Sequence, residues 1–330
     1  MRIPRALALN GPEAVSVFFV LSGFVIRFVT TEKNEKNLRV YLLARIVRMA
    51  SVVPLALIAT VCADLIVEWL GSRAPAHHWL ALMRAITFTN ELWFSHSVFG
   101  SNEPYWSLGF EVPYYLLFAI MIFSSGYRRN ILLLIWTMFY GAKIIAYLPL
   151  WLLGVVLYNI ITKLRVRRIW LGLALMGSGL TVYLFVKFGL NHPFYRIYRP
   201  RGVFDLMAGA SYYYSIGIAI VLNIMGFHLA TVKRSSFPKK ITVPIRWLAG
   251  GSFTLYLIHL PLLSVGLAFD PTIRTTMSGG YIVLLAVIGA CYVLAELGER
   301  RKASARQIVE SIYCKYSDVI LYIKRHNAVL

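Results

Sequence analysis

Apolar runs of about twenty residues, separated by short basic stretches, recur along the whole chain. A hydrocarbon core about 30 Å thick is crossed by roughly 20 residues in helical form, with a range of about 17–25. Backbone groups in lipid have no water to bond, so each run is read as a helix whose hydrogen bonds close internally. The runs fall at 12–30, 49–70, 107–125, 131–143, 144–162, 169–188, 203–227, 247–269 and 278–296. They predict an all-α, polytopic membrane bundle of about nine transmembrane helices within 1–298, followed by a basic tail, 299–330. The chain is 58% hydrophobic and 15% charged, against about 45–50% and about 25% for soluble domains. Of its cysteines, Cys62 and Cys291 lie in apolar runs and Cys314 in the basic tail, which excludes a disulfide framework.

The net charge of +20 needs a separate explanation. Lys and Arg accumulate in the cytoplasmic loops of membrane proteins. The stretches 27–48, 126–130, 163–168, 228–246 and 298–330 hold 24 basic residues, and 1–12, 71–105, 189–202 and 270–279 hold 8. These classes alternate along the chain only if 131–162 crosses twice, not once as a long helix kinked at Gly141 and Pro149. The charge is therefore an orientation code with the C-terminus in the cytoplasm, and it does not indicate a nucleic-acid partner. The same count puts the N-terminus outside, and nothing before residue 12 has the charged start and apolar region of a signal peptide. In the tail, Ile308, Ile312, Val319 and Ile323 space an apolar face suited to an amphipathic helix on an anionic leaflet.

Polar residues at membrane depth are costly and often functional. Arg45 and Arg48 stand at i, i+3 on one helix face, where two guanidiniums can grip a phosphate by forked hydrogen bonds; equally, they can be snorkelling residues that mark the cytoplasmic side. Ser107 and Glu111 share a face one turn apart beyond Trp106. A carboxylate there can act as a general base or orient an acceptor hydroxyl; the plainer alternative is an interfacial Trp beside a carboxylate paired to an Arg. Ser252, Tyr256 and His259 form a polar stripe at i, i+4, i+7 in the cleanest run. His259 can relay a proton or simply bond a neighbouring helix. Asp64 and Glu68 are expected to be structural, and Lys187 and Asp205 interfacial. His77, His78 and His96 lack the spacing of a zinc site.

The run Phe18-Phe19-Val20-Leu21-Ser22-Gly23-Phe24 resembles the signature of acyltransferase family 3. Three further stretches resemble that family's motifs in order: Arg45-x-x-Arg48 with Pro54; Trp106-Ser107-Leu108-x-x-Glu111 with Tyr114 and Tyr115; and Ser252-x-x-x-Tyr256-Leu257-x-His259-x-Pro261. Leu152-Leu153-Gly154-Val155 is a weaker match. The resemblance implies a multi-pass enzyme of the cell (inner or plasma) membrane, occupying 1–298. Such an enzyme transfers an acyl group, usually acetyl, from acyl-CoA to a hydroxyl of a surface polysaccharide, oligosaccharide or lipid-linked carbohydrate. Acetyl-CoA would be a co-substrate, with no bound cofactor and no catalytic metal implied.

On this resemblance Arg45 and Arg48 bind the CoA phosphates and His259 and Glu111 are the catalytic candidates. Ser22, Gly23, Trp106, Ser107, Ser252 and Tyr256 support them. The family has ten helices, and its first carries an Arg and the His regarded as the general base. The chain as written begins in the second helix, so nine spans correspond to ten minus one, and His259 or Glu111 would have to serve as base. The other readings are a truncated, inactive relative and a transporter of a lipid-linked or acyl substrate.

Overall fold

In a computed structural model, described for residues 11–32, 37–189, 203–232, 238–269 and 277–311, the helices begin and end where proline and glycine dictate. Helix α1 is Gly11–Glu32, α2 Leu38–Ala50 and α3 Val53–Trp69. Pro54 separates the last two: it has no N–H to offer the Ala50 carbonyl, and its ring crowds that oxygen. Beyond a short helix α4, Trp79–Ile86, a 3₁₀ turn at Glu103–Ser107 leads into α5, Leu108–Phe123.

Helices α6, Gly126–Tyr140, and α7, Ala142–Ile161, are separate. Gly141 divides them with φ +82°, in the region that favours glycine, and its N–H still bonds the Thr137 carbonyl at 3.0 Å. The order continues with α8 Ile169–Leu184, a π turn at Phe185–Gly189, α9 Val203–Thr231, α10 Lys239–Ala249, α11 Ser252–Phe269 and α12 Met277–Leu297.

Among the described residues, eight helical segments are long and apolar enough to cross a membrane: Glu13–Glu32, Leu38–Trp69, Glu103–Phe123, Ala142–Ile161, Ile169–Phe188, Asp205–Thr231, Ser252–Phe269 and Gly279–Ser311. The ninth expected run is α6. It has 15 residues, about 22 Å at 1.5 Å per residue, which is short of the core thickness. The helix expected over 247–269 starts at Ser252 instead. Its first residues belong to α10, which has no buried residue and carries Lys239, Lys240 and Arg246 beside exposed Ile241, Val243 and Trp247. In the tail, residues 302–311 are helical, with Arg306 and Glu310 paired one turn apart at 2.9 Å. The expected amphipathic face beyond 311, Cys314 and residues 190–202 of the expected outer stretch 189–202 lie outside the described residues.

The helices group into two units. The first holds α1 and α4–α9 and is built on glycine contacts. A Cβ on Gly23 would overlap the Trp151 carbonyl, and one on Gly154 would overlap the Val20 carbonyl, so α1 and α7 cross backbone to backbone. Gly172 and Gly226 do the same for α8 and α9, each lying against the other's carbonyl. Apolar side chains gain little from leaving lipid for protein, so close approach through small residues is the main packing device.

Near the prolines inside α7 and α5, backbone carbonyls accept from side chains of neighbouring helices. Ile144 O, in the turn ahead of Pro149, accepts the Tyr114 hydroxyl at 2.9 Å, and the Tyr214 hydroxyl bonds Ala146 O. Pro113 O accepts Trp136 Nε1 at 3.0 Å. The second unit holds α2, α3, α11, α12 and nearly all of α10. Here Gly251 faces Tyr292, and a Cβ on Gly298 would strike Ser51 O at 2.5 Å.

Candidate active site

The first unit gathers Ser22, Trp106, Ser107 and Glu111. Glu111 and Ser107 are completely buried, and Trp106 is 5% exposed. Trp106 packs edge-on against Phe110 at 5.4 Å and Phe19 at 6.4 Å between centroids. It is therefore a core residue and not an interfacial anchor. Ser107 Oγ donates to Pro104 O at 3.2 Å, closing the turn that launches α5.

Four residues from three helices meet at the carboxylate one turn further on. Ser22 Oγ donates to Glu111 Oε1 at 3.3 Å, Trp151 Nε1 donates to Ser22 Oγ at 3.3 Å, and the Tyr115 hydroxyl bonds the same Oε1. The signature serine thus reaches the Trp-Ser-Leu-x-x-Glu carboxylate, and the signature glycine beside it lets α7 come close enough for Trp151 to join. Two hydroxyl donors converge on one carboxylate oxygen, so the group is built to orient donors.

The second unit holds the remaining candidates. Arg45 and Arg48 are half-buried on one face of α2. The Arg45 guanidinium lies 5.4 Å from the Tyr41 ring centroid and that of Arg48 4.9 Å from Phe253, so aromatic faces hold both side chains. Phe253 belongs to the first turn of α11, which links the arginine pair to the helix of the late motif. On that helix His259 Nδ1 lies 2.9 Å from Tyr256 O and 3.1 Å from Leu255 O. Both partners are carbonyls and can only accept, so Nδ1 carries the proton and Nε2 bears the lone pair of the neutral ring.

The Tyr256 ring lies 6.4 Å away. Ser252 departs from the expected stripe: it is exposed at the first position of α11 and donates to Ala249 O at 2.9 Å. Asp64 is structural as expected, but through the backbone: it accepts Ser101 N–H at 3.0 Å, and Asn102 Nδ2 donates to Thr60 Oγ1 at 2.9 Å one turn away.

Three groupings were not anticipated from sequence. In the first unit, Glu91 Oε1 lies 2.6 Å from His96 Nδ1, and its Oε2 pairs with Lys143 Nζ, which also donates to Ser95 O at 3.0 Å. Glu91 is fully buried and Lys143 2% exposed. A signal was present, since Lys143 is a lysine inside an apolar run. The second is Glu13, also buried, which accepts the Tyr212 hydroxyl at 3.0 Å and lies 3.6 Å from Lys187 Nζ. The third is Glu299 in the second unit, whose Oε2 accepts Thr254 N at 2.9 Å and Thr254 Oγ1 at 3.0 Å.

Residues 2–296 match the family model described as an acyltransferase domain. Neither a curated protein nor a solved structure matches the chain. The four motifs, their placement in the two units and this match over most of the chain agree: it is a multi-pass membrane protein that belongs to acyltransferase family 3.

Proposed function

We propose that the protein transfers an acetyl group from acetyl-CoA to a hydroxyl of a surface or lipid-linked carbohydrate, in the cell (inner or plasma) membrane with its C-terminus in the cytoplasm. The observation that carries this reading is the arginine pair. Two guanidiniums stand one turn apart, each fixed against an aromatic ring, in a chain of an acyltransferase family. An acyl-CoA thioester is a polyanion, and rigid forks suit its phosphates better than mobile ammonium groups do.

His259 supplies the base. With Nδ1 bound to carbonyls, Nε2 takes the proton of the acceptor hydroxyl as its oxygen attacks the thioester carbon. Collapse of the tetrahedral intermediate expels the CoA thiolate, and the proton passes from Nε2 to that sulfur. Base catalysis of this kind contributes about 10²–10⁴-fold. Glu111, with donors already on Oε1, orients hydroxyls and does not itself remove a proton. The family's arginine pair and late histidine both lie in the second unit.

The test is acetyl transfer from labelled acetyl-CoA to membrane carbohydrate by vesicles carrying the chain. Arg45→Ala and Arg48→Ala are expected to abolish incorporation while the protein still inserts. Wild-type incorporation by either variant would return the pair to a topological role.

A further inference from the structure

Helix α10 has no buried residue, and all of it but Thr242 is exposed. Its 11 residues, about 16 Å at 1.5 Å per residue, are too few to cross a hydrocarbon core. The residues sort onto three faces. Ile241, Ile245 and Leu248 follow i, i+4, i+7 and form an apolar stripe, each residue about half exposed. Lys239, Thr242 and Arg246 follow i, i+3, i+7 and form a polar, cationic stripe beside it. Lys240 and Trp247 share the third face.

That third face is fastened to the end of α12. The Trp247 ring stacks on Tyr292 at 5.0 Å between centroids and 17° between planes, and the Arg300 guanidinium lies 4.1 Å from the Trp247 centroid. Arg300 also donates to Trp247 O at 2.8 Å, and the Tyr292 hydroxyl donates to Leu248 O at 3.0 Å. A Cβ on Gly251 would strike the Tyr292 ring at 2.7 Å, so the chain enters α11 directly against the last turns of α12. The start of one span and the end of the other thus share a membrane surface, and α10 is held at it.

In water, Ile241, Ile245 and Leu248 would leave an apolar stripe exposed; within the hydrocarbon, Lys239 and Arg246 would be stranded. The boundary between the two suits both stripes, and it is also where Trp residues such as Trp247 concentrate. The stretch 228–246 holds five basic residues and no acidic one, so the headgroups that complement it are negative.

We propose that α10 is an interfacial helix that docks on anionic phospholipid headgroups. Ile241, Ile245 and Leu248 lie among the upper acyl chains, and Lys239, Lys240 and Arg246 meet the phosphates. Through Trp247 and Gly251 the bound leaflet holds the adjoining ends of α11 and α12 at a set depth. The lipid site is independent of the acyl donor and of the acceptor.

Nitroxide labels test the placement. The full chain, lacking its native cysteines, is placed in nanodiscs of equal parts phosphatidylcholine and phosphatidylglycerol, with one label at Ile245→Cys or at Thr242→Cys. The Ile245 label is expected to be relaxed by oxygen and shielded from a water-soluble nickel chelate, and the Thr242 label the reverse. A fluorophore at Thr242→Cys reads lipid preference through its quenching by doxyl-labelled phosphatidylglycerol against doxyl-labelled phosphatidylcholine. Phosphatidylglycerol is expected to quench more strongly. Arg246→Gln should reduce that preference by up to about fivefold, the worth of one basic residue near an anionic surface, and salt should act in the same direction. Nickel access to both labels would overturn the docking. An Ile245 label shielded from oxygen and nickel alike would show that protein, such as a second copy of the chain, covers the stripe, and would overturn the lipid. Equal quenching by the two lipids, or a preference that Arg246→Gln and salt leave unchanged, would overturn the anionic headgroups as the occupant.

Discussion

Lys143 shows what one buried charge does in this molecule. Its ammonium pairs with Glu91 and bonds Ser95 O, while Glu91 also holds His96. The loop it secures is strained. Phe88 and Trp93 both have φ near +55°, a left-handed conformation uncommon for bulky residues. Trp93 N donates to Tyr140 O at 3.0 Å, and its side chain covers Gly141. The neighbouring Asn90 donates to Trp106 O at 3.4 Å and presses on Gly109, two residues before Glu111.

Removing one member of a buried ion pair strands the other and typically costs about 3–5 kcal/mol. Lys143→Met is therefore expected to lower the unfolding temperature of the detergent-solubilised protein sharply. Adding Glu91→Gln should restore part of the loss. A double variant no more stable than the single one would show that the pair is not the anchor. The sequence exposed Lys143 as anomalous, but the whole of α5 and α6 separates Glu91 from it, and no local pattern joins them. Arg45, Arg48 and Glu111 stand out as candidates because their motifs are local, and Tyr115 lies one turn from Glu111 on the same helix, whereas the partners Trp151 and Phe253 depend on how helices meet.

At the scale of elements, the glycines divide into those that permit a crossing and those that do not. Gly23, Gly154, Gly172 and Gly226 face carbonyls of a neighbouring helix, whereas Gly177, on α8, has open space where a side chain would be. Gly23→Ala should force α1 from α7 and destabilise the protein by about 1–3 kcal/mol, the usual cost of overpacking. Gly177→Ala should be neutral or stabilising by up to about 1 kcal/mol, because alanine suits a helix interior better. Equal stability of the two variants in a thermal assay would refute the crossing.

Apolar runs fixed the helices themselves well, since length and hydropathy are local properties. Their ends were less legible where proline intervened. Pro54 divides α2 from α3, and the boundary between α10 and α11 moved the expected span from 247 to 252. The amphipathic α10 was hidden because its apolar residues adjoin the next run and extend it.

For the whole molecule, the orientation of the chain depends on the α6–α7 pair. Gly141 divides it in two, as the distribution of basic loops requires, yet α6 alone is shorter than a membrane core. If the pair crosses twice, the basic stretches 126–130 and 163–168 lie on one side. Single cysteines introduced at Asn130 and Lys163, in a chain lacking its native cysteines, should then react with an impermeant maleimide from the same face of sealed vesicles. Labelling from opposite faces would refute nine crossings. Reporter fusions after Arg201 and after Lys240 should likewise fall on opposite sides, the first outside and the second in the cytoplasm.

The contact between Gly23 and the Trp151 backbone also bears on how members of this family are recognised. Most of the Phe-Phe-Val-Leu-Ser-Gly-Phe run describes a surface that α7 can approach: Phe19 is completely buried, Gly23 admits the neighbouring backbone, and Ser22 reaches across to Glu111. A substitution on such a surface acts on assembly. A lineage that lost acyl transfer but kept its bundle would keep the signature, so a genome survey based on this run counts scaffolds. On the function proposed above, a census of working enzymes scores the arginine pair and the late histidine as well.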